Sequence, residues 1–332
     1  MSRNETLSGQ KAREYRLKYG MDMPTAKLAR ILYKDNPLLY TTAETARTAL
    51  RKLEGKTGAF NRKFTDDKSM FKEGERPKNP YNLPKSDEAV YEPFVIKESN
   101  VLVLSDIHIP YHSIEALTAA FDYAKKDKPD AILLNGDTID FFGLSRFCKE
   151  PGKRSFADEL KTFAEFFEIL HRTFKCQVYF KLGNHEERYN HFLWQKAGEI
   201  ADVNEFNLSE IIKARAEGIQ VIGEKRIIKL GDLNVLHGHE FGGSVFSPVN
   251  IARGLFLRAK TSALQGHNHQ TSEHTESDMN GKITTTFSSG CLCELHPAYL
   301  PINKWNHGMT RVRVDGMNFE VSNKRIHNGK IL

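Results

Sequence analysis

Cysteine is scarce in this chain, four residues in 332, and tryptophan scarcer, with two. Cys148 and Cys176 stand far apart, and Cys291 and Cys293 form a lone C-x-C with no second pair at zinc-ribbon spacing. A disulfide-stapled fold and a zinc ribbon are thereby excluded, and all four are expected to be reduced, structural thiols. Apolar runs of the roughly 18 residues that a membrane span needs are missing too. The opening MSRNETLSGQKAREYRLKYG has no apolar core, so it does not read as a secretory signal, and its acidic residues suit a transit peptide poorly. A cytoplasmic protein with no membrane partner is expected. Hydrophobic residues at 39% and charged residues at 27% fit a globular chain with an ordinary core. The length allows one large domain beside a small one.

An even spread of charge is also lacking. Residues 1–98 hold 20 Lys and Arg against 14 Asp and Glu, whereas residues 99–332 hold 28 of each, so the whole net charge of +6 lies ahead of the larger part. A basic appendage on a neutral body points to a polyanionic partner, DNA or RNA. The plain alternative is a solvated leader.

Three segments follow from local pattern. Residues 1–58 read as a small basic helical module. Its first twenty residues lack sustained periodicity and are expected to fray or to form a loose helix. From Met23 to Gly58 a helical pair is expected: Pro24 suits a helix start, Leu28, Ile31 and Leu32 share a face, and Asn36-Pro37 breaks the run. Thr41 or Thr42 caps a second helix carrying Ala46, Ala49, Leu50 and Leu53 inside and Arg47, Arg51 and Lys52 outside, with Gly55 as its stop. This pair is similar to a helix-turn-helix DNA-binding element, with docking or oligomerisation as the competing use. Residues 59–98, with Pro77, Pro80, Pro84 and Pro93, read as a linker. Residues 99–332 form the large domain. There VLVLS, a helix from Ser113 to Lys126 and AILLNG make a β-α-β unit with a parallel crossover. A helix from Ser155 to Phe174 with a Phe-rich inner face and the strand QVYFKLG follow. The later half reads as short strands: RIIKLG, LNVLHG, TSALQG, KITTTFSS, MTRVRV and NFEVS.

What the chain does have is five short motifs over about 165 residues: SDIH (Ser105–His108), NGDTID (Asn135–Asp140), GNHE (Gly183–Glu186), LHGH (Leu236–His239) and GHNH (Gly266–His269). Each follows a predicted strand. Together they offer carboxylates, an amide and several imidazoles, a donor set suited to two divalent metals of borderline hardness. A lone Asp or His at a strand end is ordinarily a cap or a surface residue; five motifs in this order are not. Asp137, in a tight G-D turn, is the candidate for a carboxylate shared by both ions. Asp106 and His108 are two apart, so a regular strand would send both side chains one way.

The motifs and their order resemble the calcineurin-like metallophosphoesterase superfamily, over roughly residues 100–325. The resemblance implies an α/β fold, a four-layer α/β/β/α sandwich of two mixed β-sheets with a dinuclear site at the strand ends. It implies a first metal held by Asp106, His108 and His269 and a second by Asn184, His237 and His267, with Asp137 bridging. It implies that His185 is no ligand but assists the leaving group after a metal-bridging hydroxide attacks phosphorus, and that Asp140 holds its imidazole protonated. Glu186 and His239 are expected just behind the ligands. The arginines that protein serine/threonine phosphatases place after G-D-x-x-D and before G-N-H-E are absent: Phe141, Phe142 and Leu182 stand there. That counts against a protein phosphatase and leaves Arg188 and Arg146 as candidates for phosphate. Phe141 and Phe142 are expected to pack beneath the site rather than to stack on a base, and Gly242 through Pro248 to form a rim loop. Two divalent ions per chain are expected, manganese first, with Fe, Zn, Co or Ni as alternatives. The leading expectation is a phosphodiesterase or nuclease. The others are a phosphomonoesterase or small cyclic-nucleotide hydrolase, and a non-catalytic scaffold. Nothing marks an oligomer interface.

Overall fold

A computed structural model describes residues 5–55, 64–65, 79–146, 155–242 and 249–332. Cys148, Gly243 through Pro248 and most of residues 59–78 lie outside the described residues. The chain divides into two compact units, Met1–Glu88 and Ala89–Leu332.

The first unit holds three helices, α1 (Leu7–Tyr19), α2 (Thr25–Asp35) and α3 (Ala43–Glu54). Leu28, Ala29 and Leu32 of α2 meet Ala46, Ala49 and Leu50 of α3 in one apolar cluster, as their helical spacing requires. Thr42 caps α3 in a reciprocal box with Thr45, and Gly55 ends it in the left-handed region at φ 84°. The expectation of a loose first helix is corrected. α1 runs 13 residues behind its Thr6 cap, and Ala12 is buried in the same cluster. Its anchor is polar, which is why periodicity missed it. The buried Arg16 guanidinium pairs with buried Glu54, donates 2.8 Å bonds to the carbonyls of Gly20 and Met23, and Thr25 Oγ1 donates to Glu54 at 2.8 Å.

In the second unit the chain order begins with β1 (Phe94–Val95), β2 (Asn100–Leu104), α4 (Ile114–Asp127), β3 (Ala131–Asn135), α5 (Phe156–Thr173) and β4 (Gln177–Lys181). It continues through α6 (Asn184–Lys196), α7 (Leu208–Lys213), β5 (Gln220–Ile222), β6 (Ile228–Leu230), β7 (Leu233–Leu236) and α8 (Ile251–Ala259). It closes with β8 (Ala263–Gln265), β9 (Ser272–Ser277), β10 (Ile283–Ser288), β11 (His307–Asp315), β12 (Asn318–His327) and β13 (Lys330–Ile331). One sheet runs β13-β12-β11-β2-β3-β4-β5 and the other β1-β6-β7-β8-β10-β9; both mix parallel and antiparallel pairs. β1 pairs with β6, so part of the segment read as linker belongs to this unit.

Alternation along β2 sorts the layers. Val101 and Val103, with Ala131 and Leu133 of β3, meet Leu230, Val235 and Leu264 of the other sheet. Leu102 and Leu104 face outward into a second core with Ala120 of α4 and Phe163 and Leu170 of α5. α8 covers the other sheet through Leu255 against Leu236 and Ala263. The result is a four-layer α/β/β/α sandwich. Each buried Leu or Phe contributes about 1.5–3 kcal/mol, and burial on both faces explains why β2 and β3 read as unbroken apolar runs. Among the described residues no helix is long and apolar enough to cross a membrane.

Candidate metal centre

Every motif begins at the last residue of a strand or within two residues past it, and the sandwich brings all five ends together. β2, β3 and β4 lie side by side in one sheet and deliver Asp106 and His108, Asp137 and Asp140, and Asn184 and His185. β7 and β8 of the facing sheet deliver His237, and His267 with His269.

The backbone is bent to aim these side chains. Asp106 (φ 56°), His108 (53°), Asp137 (50°), His267 (65°) and His269 (55°) all occupy the left-handed region. Each such non-glycine residue costs on the order of 1–3 kcal/mol and persists where surrounding structure enforces it. The strand argument for Asp106 and His108 is corrected accordingly: β2 ends at Leu104, and a left-handed turn rather than pleat alternation brings the two together. Glycines make room. A side chain at Gly136 would strike the His237 ring, and one at Gly183 would strike the Asp137 carboxylate.

Asp137 is at the middle. Its Oδ2 lies 3.2 Å from His237 Nε2, 3.8 Å from His185 Nε2 and 3.9 Å from His108 Nε2, while its Oδ1 accepts the His185 amide at 2.9 Å. On one side His108 Nε2 and His269 Nε2 approach to 3.2 Å, and His269 Nε2 stands 3.1 Å from Asp106 Oδ1. On the other, His237 Nε2 lies 3.2 Å from Asn184 Oδ1, and one ligand atom each of Asp137, His237 and His267 fall within 4.8 Å of one another. The structure thus gathers all seven predicted ligands around one carboxylate, His185 and Asp140 beside them.

The donor set fits cations. His237 donates its Nδ1–H to the Asn135 carbonyl at 2.8 Å, leaving the Nε2 lone pair facing two oxygens. His108 Nδ1 is committed to Asp140 Oδ1 at 2.9 Å, leaving its Nε2 facing another imidazole nitrogen. Lone pairs so opposed need a positive charge between them. Buried His267 Nδ1 has no hydrogen-bond partner among the described residues. Protons can supply part of that charge: burial disfavours it, but Asp137 raises His237 to about 10 and Asp106 raises His269 to about 10. Burial and then His185 hold His108 below its ordinary value, and burial and then His237 take His267 down to about 4. Metal entry must therefore release protons. Asp106, His108, Asp137 and His269 would hold one ion, and Asp137, Asn184, His237 and His267 the other.

Asp140 serves two imidazoles. Its Oδ1 lies 2.9 Å from His108 Nδ1 and 3.0 Å from His185 Nδ1. Burial opposes ionisation, but these hydrogen bonds hold the carboxyl well below the usual range. Arg188 donates to the Asp140 carbonyl at 2.8 Å and sets Nη2 2.8 Å from His185 Nε2, so it reaches the site, whereas Arg146 is exposed. Glu186 accepts four backbone N–H groups, from Gly183, Asp137, Thr138 and Ile139, at 2.8–3.0 Å, tying the second motif to the third. His239 packs 5.3 Å from the His237 ring. Phe141 is wholly buried against Phe156 and is a core residue.

Sequence reasoning assigned no part in the site to four residues. Lys181, fully buried, meets Glu240 Oε1 at 3.0 Å, and Glu240 accepts the amide of His237 at 3.0 Å, which fixes that ligand's turn. Glu159 of α5 is fully buried; burial, then the charge of Asp140, pushes its carboxyl up to about 8. Cys293 Sγ lies 3.9 Å from His269 Nδ1, nearer the centre than a plain structural thiol would be. The C-x-C spacing carried no signal of this, since the contact depends on where β10 ends.

A family model for calcineurin-like phosphoesterases matches residues 99–283, more than half of the chain. The chain belongs to the calcineurin-like phosphoesterase family. It is 28% identical over 229 residues to the Gene 54 protein of Mycobacterium phage L5, covering 65% of this chain and 89% of that one. It is 25% identical over 177 residues to the Gene 54 protein of Mycobacterium phage D29, covering 51% and 69%. Among solved structures, a single mutant of Vps29 from Entamoeba histolytica aligns at 14% identity and a TM-score of 0.37, over 70% of this chain and 96% of that one. A dimetal phosphatase from Danio rerio aligns at 11% identity and 0.36, over 70% and 98%. The match to residues 99–283 supports a metal-dependent phosphoesterase in the second unit; the three-helix unit lies outside the match.

Proposed function

We propose that this protein is a dinuclear metal-dependent phosphodiesterase that cleaves nucleic acid. The observation that carries the reading is Asp137 with six further donor side chains arranged around it, lone pairs facing one another. Two divalent ions, when bound, supply positive charge against the phosphoryl oxygens and acidify the attacking water. Manganese is the first choice, since imidazole, carboxylate and amide donors accept it as well as iron, zinc, cobalt or nickel.

The chain's own residues do the rest. Burial works against a charged His185, but Asp137 and then the hydrogen bond to Asp140 raise its pKa, which favours the imidazolium. A protonated His185 donates to the oxygen that leaves phosphorus. In the neutral ring Nε2 accepts from Arg188 Nη2 at 2.8 Å, and protonation of Nε2 replaces that bond with a second donor facing the same space. A phosphate oxygen entering between the two lets both groups donate to it, so His185 and Arg188 grip the substrate from one side.

Nucleic acid is favoured over a small ester by the first unit. Between residues 5 and 55 it carries 10 Lys and Arg against 6 Asp and Glu, and three packed helices present Lys27, Arg30, Lys34 and Lys52 to solvent. Such a unit contributes phosphate contacts that weaken with salt. The test is cleavage of end-labelled single-stranded and duplex DNA with Mn²⁺, beside Asp137→Asn. Cutting by the native protein alone supports a nuclease. Intact DNA alongside turnover of nitrophenyl phosphate refutes it and leaves a phosphomonoesterase or small-nucleotide hydrolase.

A further inference from the structure

The segment between Glu294 and Trp305 has no place in the reaction described so far, yet it is fastened to the metal centre at both ends. Leu292 donates to the Asp106 carbonyl at 3.0 Å and Glu294 to the Tyr111 carbonyl at 2.8 Å; at the far end Asn306 donates to the His269 carbonyl at 2.9 Å. Asn303 closes the loop on itself, donating to the carbonyls of Leu295 and Leu300 and accepting the Trp305 amide at 2.9 Å. A compact loop with its ends on two ligand turns is a built feature of the site.

Its aromatic residues line up outward from His269. The Trp305 ring lies 4.1 Å, centroid to centroid, from the His269 ring, and Tyr299 lies 6.4 Å from Trp305. Tyr299 is 72% exposed, so most of the residue is open to solvent. Partial burial, then the charges of Asp140, Cys293 and Asp137, push its pKa up to about 12, with Arg188 acting in the opposite direction. The phenol therefore stays neutral and shares a field with the groups that would handle the phosphate. An exposed aromatic ring serves no core, and through Trp305 this one stands two rings away from His269 rather than on a distant face.

We infer that Tyr299 and Trp305 form a stacking platform for the base of the nucleotide next to the scissile phosphate. The inference rests on the reading of the substrate as nucleic acid and adds how the strand is held. Stacking on an aromatic side chain accepts any base, because every base has a π face. The platform therefore binds a frayed or single strand, whose bases are free to turn outward, without selecting sequence.

The experiment compares two Mn²⁺-dependent substrates on the full chain: a single-stranded thymidine oligonucleotide and one of equal length with abasic sites flanking each scissile phosphate. The native enzyme is expected to favour the base-bearing strand at least about fivefold in kcat/KM, mostly through KM. Tyr299→Ala brings that preference down toward one, and Tyr299→Phe keeps it, because stacking needs the ring and not the hydroxyl. Equal use of both strands by the native enzyme overturns the platform while leaving the nuclease reading intact. So does a preference that survives in Tyr299→Ala. If no oligonucleotide is cut but an aryl phosphate is, the nuclease reading has failed. The pair then becomes thymidine monophosphate against deoxyribose 5-phosphate: discrimination lost in Tyr299→Ala supports the platform, and none in the native enzyme overturns it.

Discussion

Glu186→Gln isolates the strut that sets the geometry of the centre. Glu186 is fully buried, Oε1 accepting from Thr138 and Ile139 and Oε2 from Asp137 and Gly183, at 2.8–3.0 Å. Burial, then Asp137, pushes its pKa up, but four donors on two oxygens leave no acceptor for a carboxylic proton. The ionised form is the one the cage accommodates. Glutamine keeps one oxygen and turns an NH₂ toward two N–H groups, so two buried donors lose their acceptor. At about 1–3 kcal/mol for each unsatisfied donor, the loss is about 2–6 kcal/mol, a large share of the roughly 5–15 kcal/mol that holds a domain together. Both tryptophans, Trp194 and Trp305, lie in the second unit, so urea unfolding followed by tryptophan emission on the full chain reports that unit alone. Glu168→Gln, at an exposed position of α5, is the control and should move stability by less than about 0.5 kcal/mol. If Glu186→Gln unfolds at the same urea concentration as the native chain, the carboxylate is not the strut described here.

His185→Ala should lower kcat about 10²- to 10⁴-fold while leaving metal content, measured by elemental analysis, at the native level; loss of metal would make His185 a ligand instead. Glu159 carries a pH signature of definite sign. Its folded pKa of about 8 stands above the unfolded 4.5, so the native chain loses stability as pH rises from about 4.5 toward 8. Glu159→Gln, which cannot ionise, should be the more stable protein at pH 8 by a few kcal/mol and nearly equal at pH 4.5; a variant less stable at pH 8 contradicts this. In the first unit, Arg16→Met strands buried Glu54 and should cost about 3–5 kcal/mol, and Arg16→Met with Glu54→Leu should recover most of it. Hydrogen exchange across α1 to α3 reads both, and equal protection in the single variant and the native chain would count against a structural pair.

How much was legible beforehand depends on which interactions leave a period or a motif. The buried runs of β2 and β3 and the apolar stripes of α3 to α5 did, because burial repeats with the element. Asp106, Asp137, Asn184, His237 and the others stood out through order, not through any one residue. Asp140 shows the limit: its pairing with His185 was expected, its equal hold on His108 was not, since that depends on two strand ends meeting. α1 was misjudged because Arg16 is inside, and a buried ion pair looks like a surface charge in sequence. β1 is two residues long and pairs with a strand more than a hundred residues away. Lys181, Glu240 and Trp305 matter through contacts between distant segments, which no local pattern records.

The central claim is that two divalent ions share Asp137, and the most direct measurement is electron paramagnetic resonance of the chain titrated with Mn²⁺ alongside its metal content. The account predicts two manganese ions per chain with the spectrum of an exchange-coupled pair, and loss of the coupled signal in Asp137→Asn. One ion per chain, or two that give uncoupled signals, would contradict it.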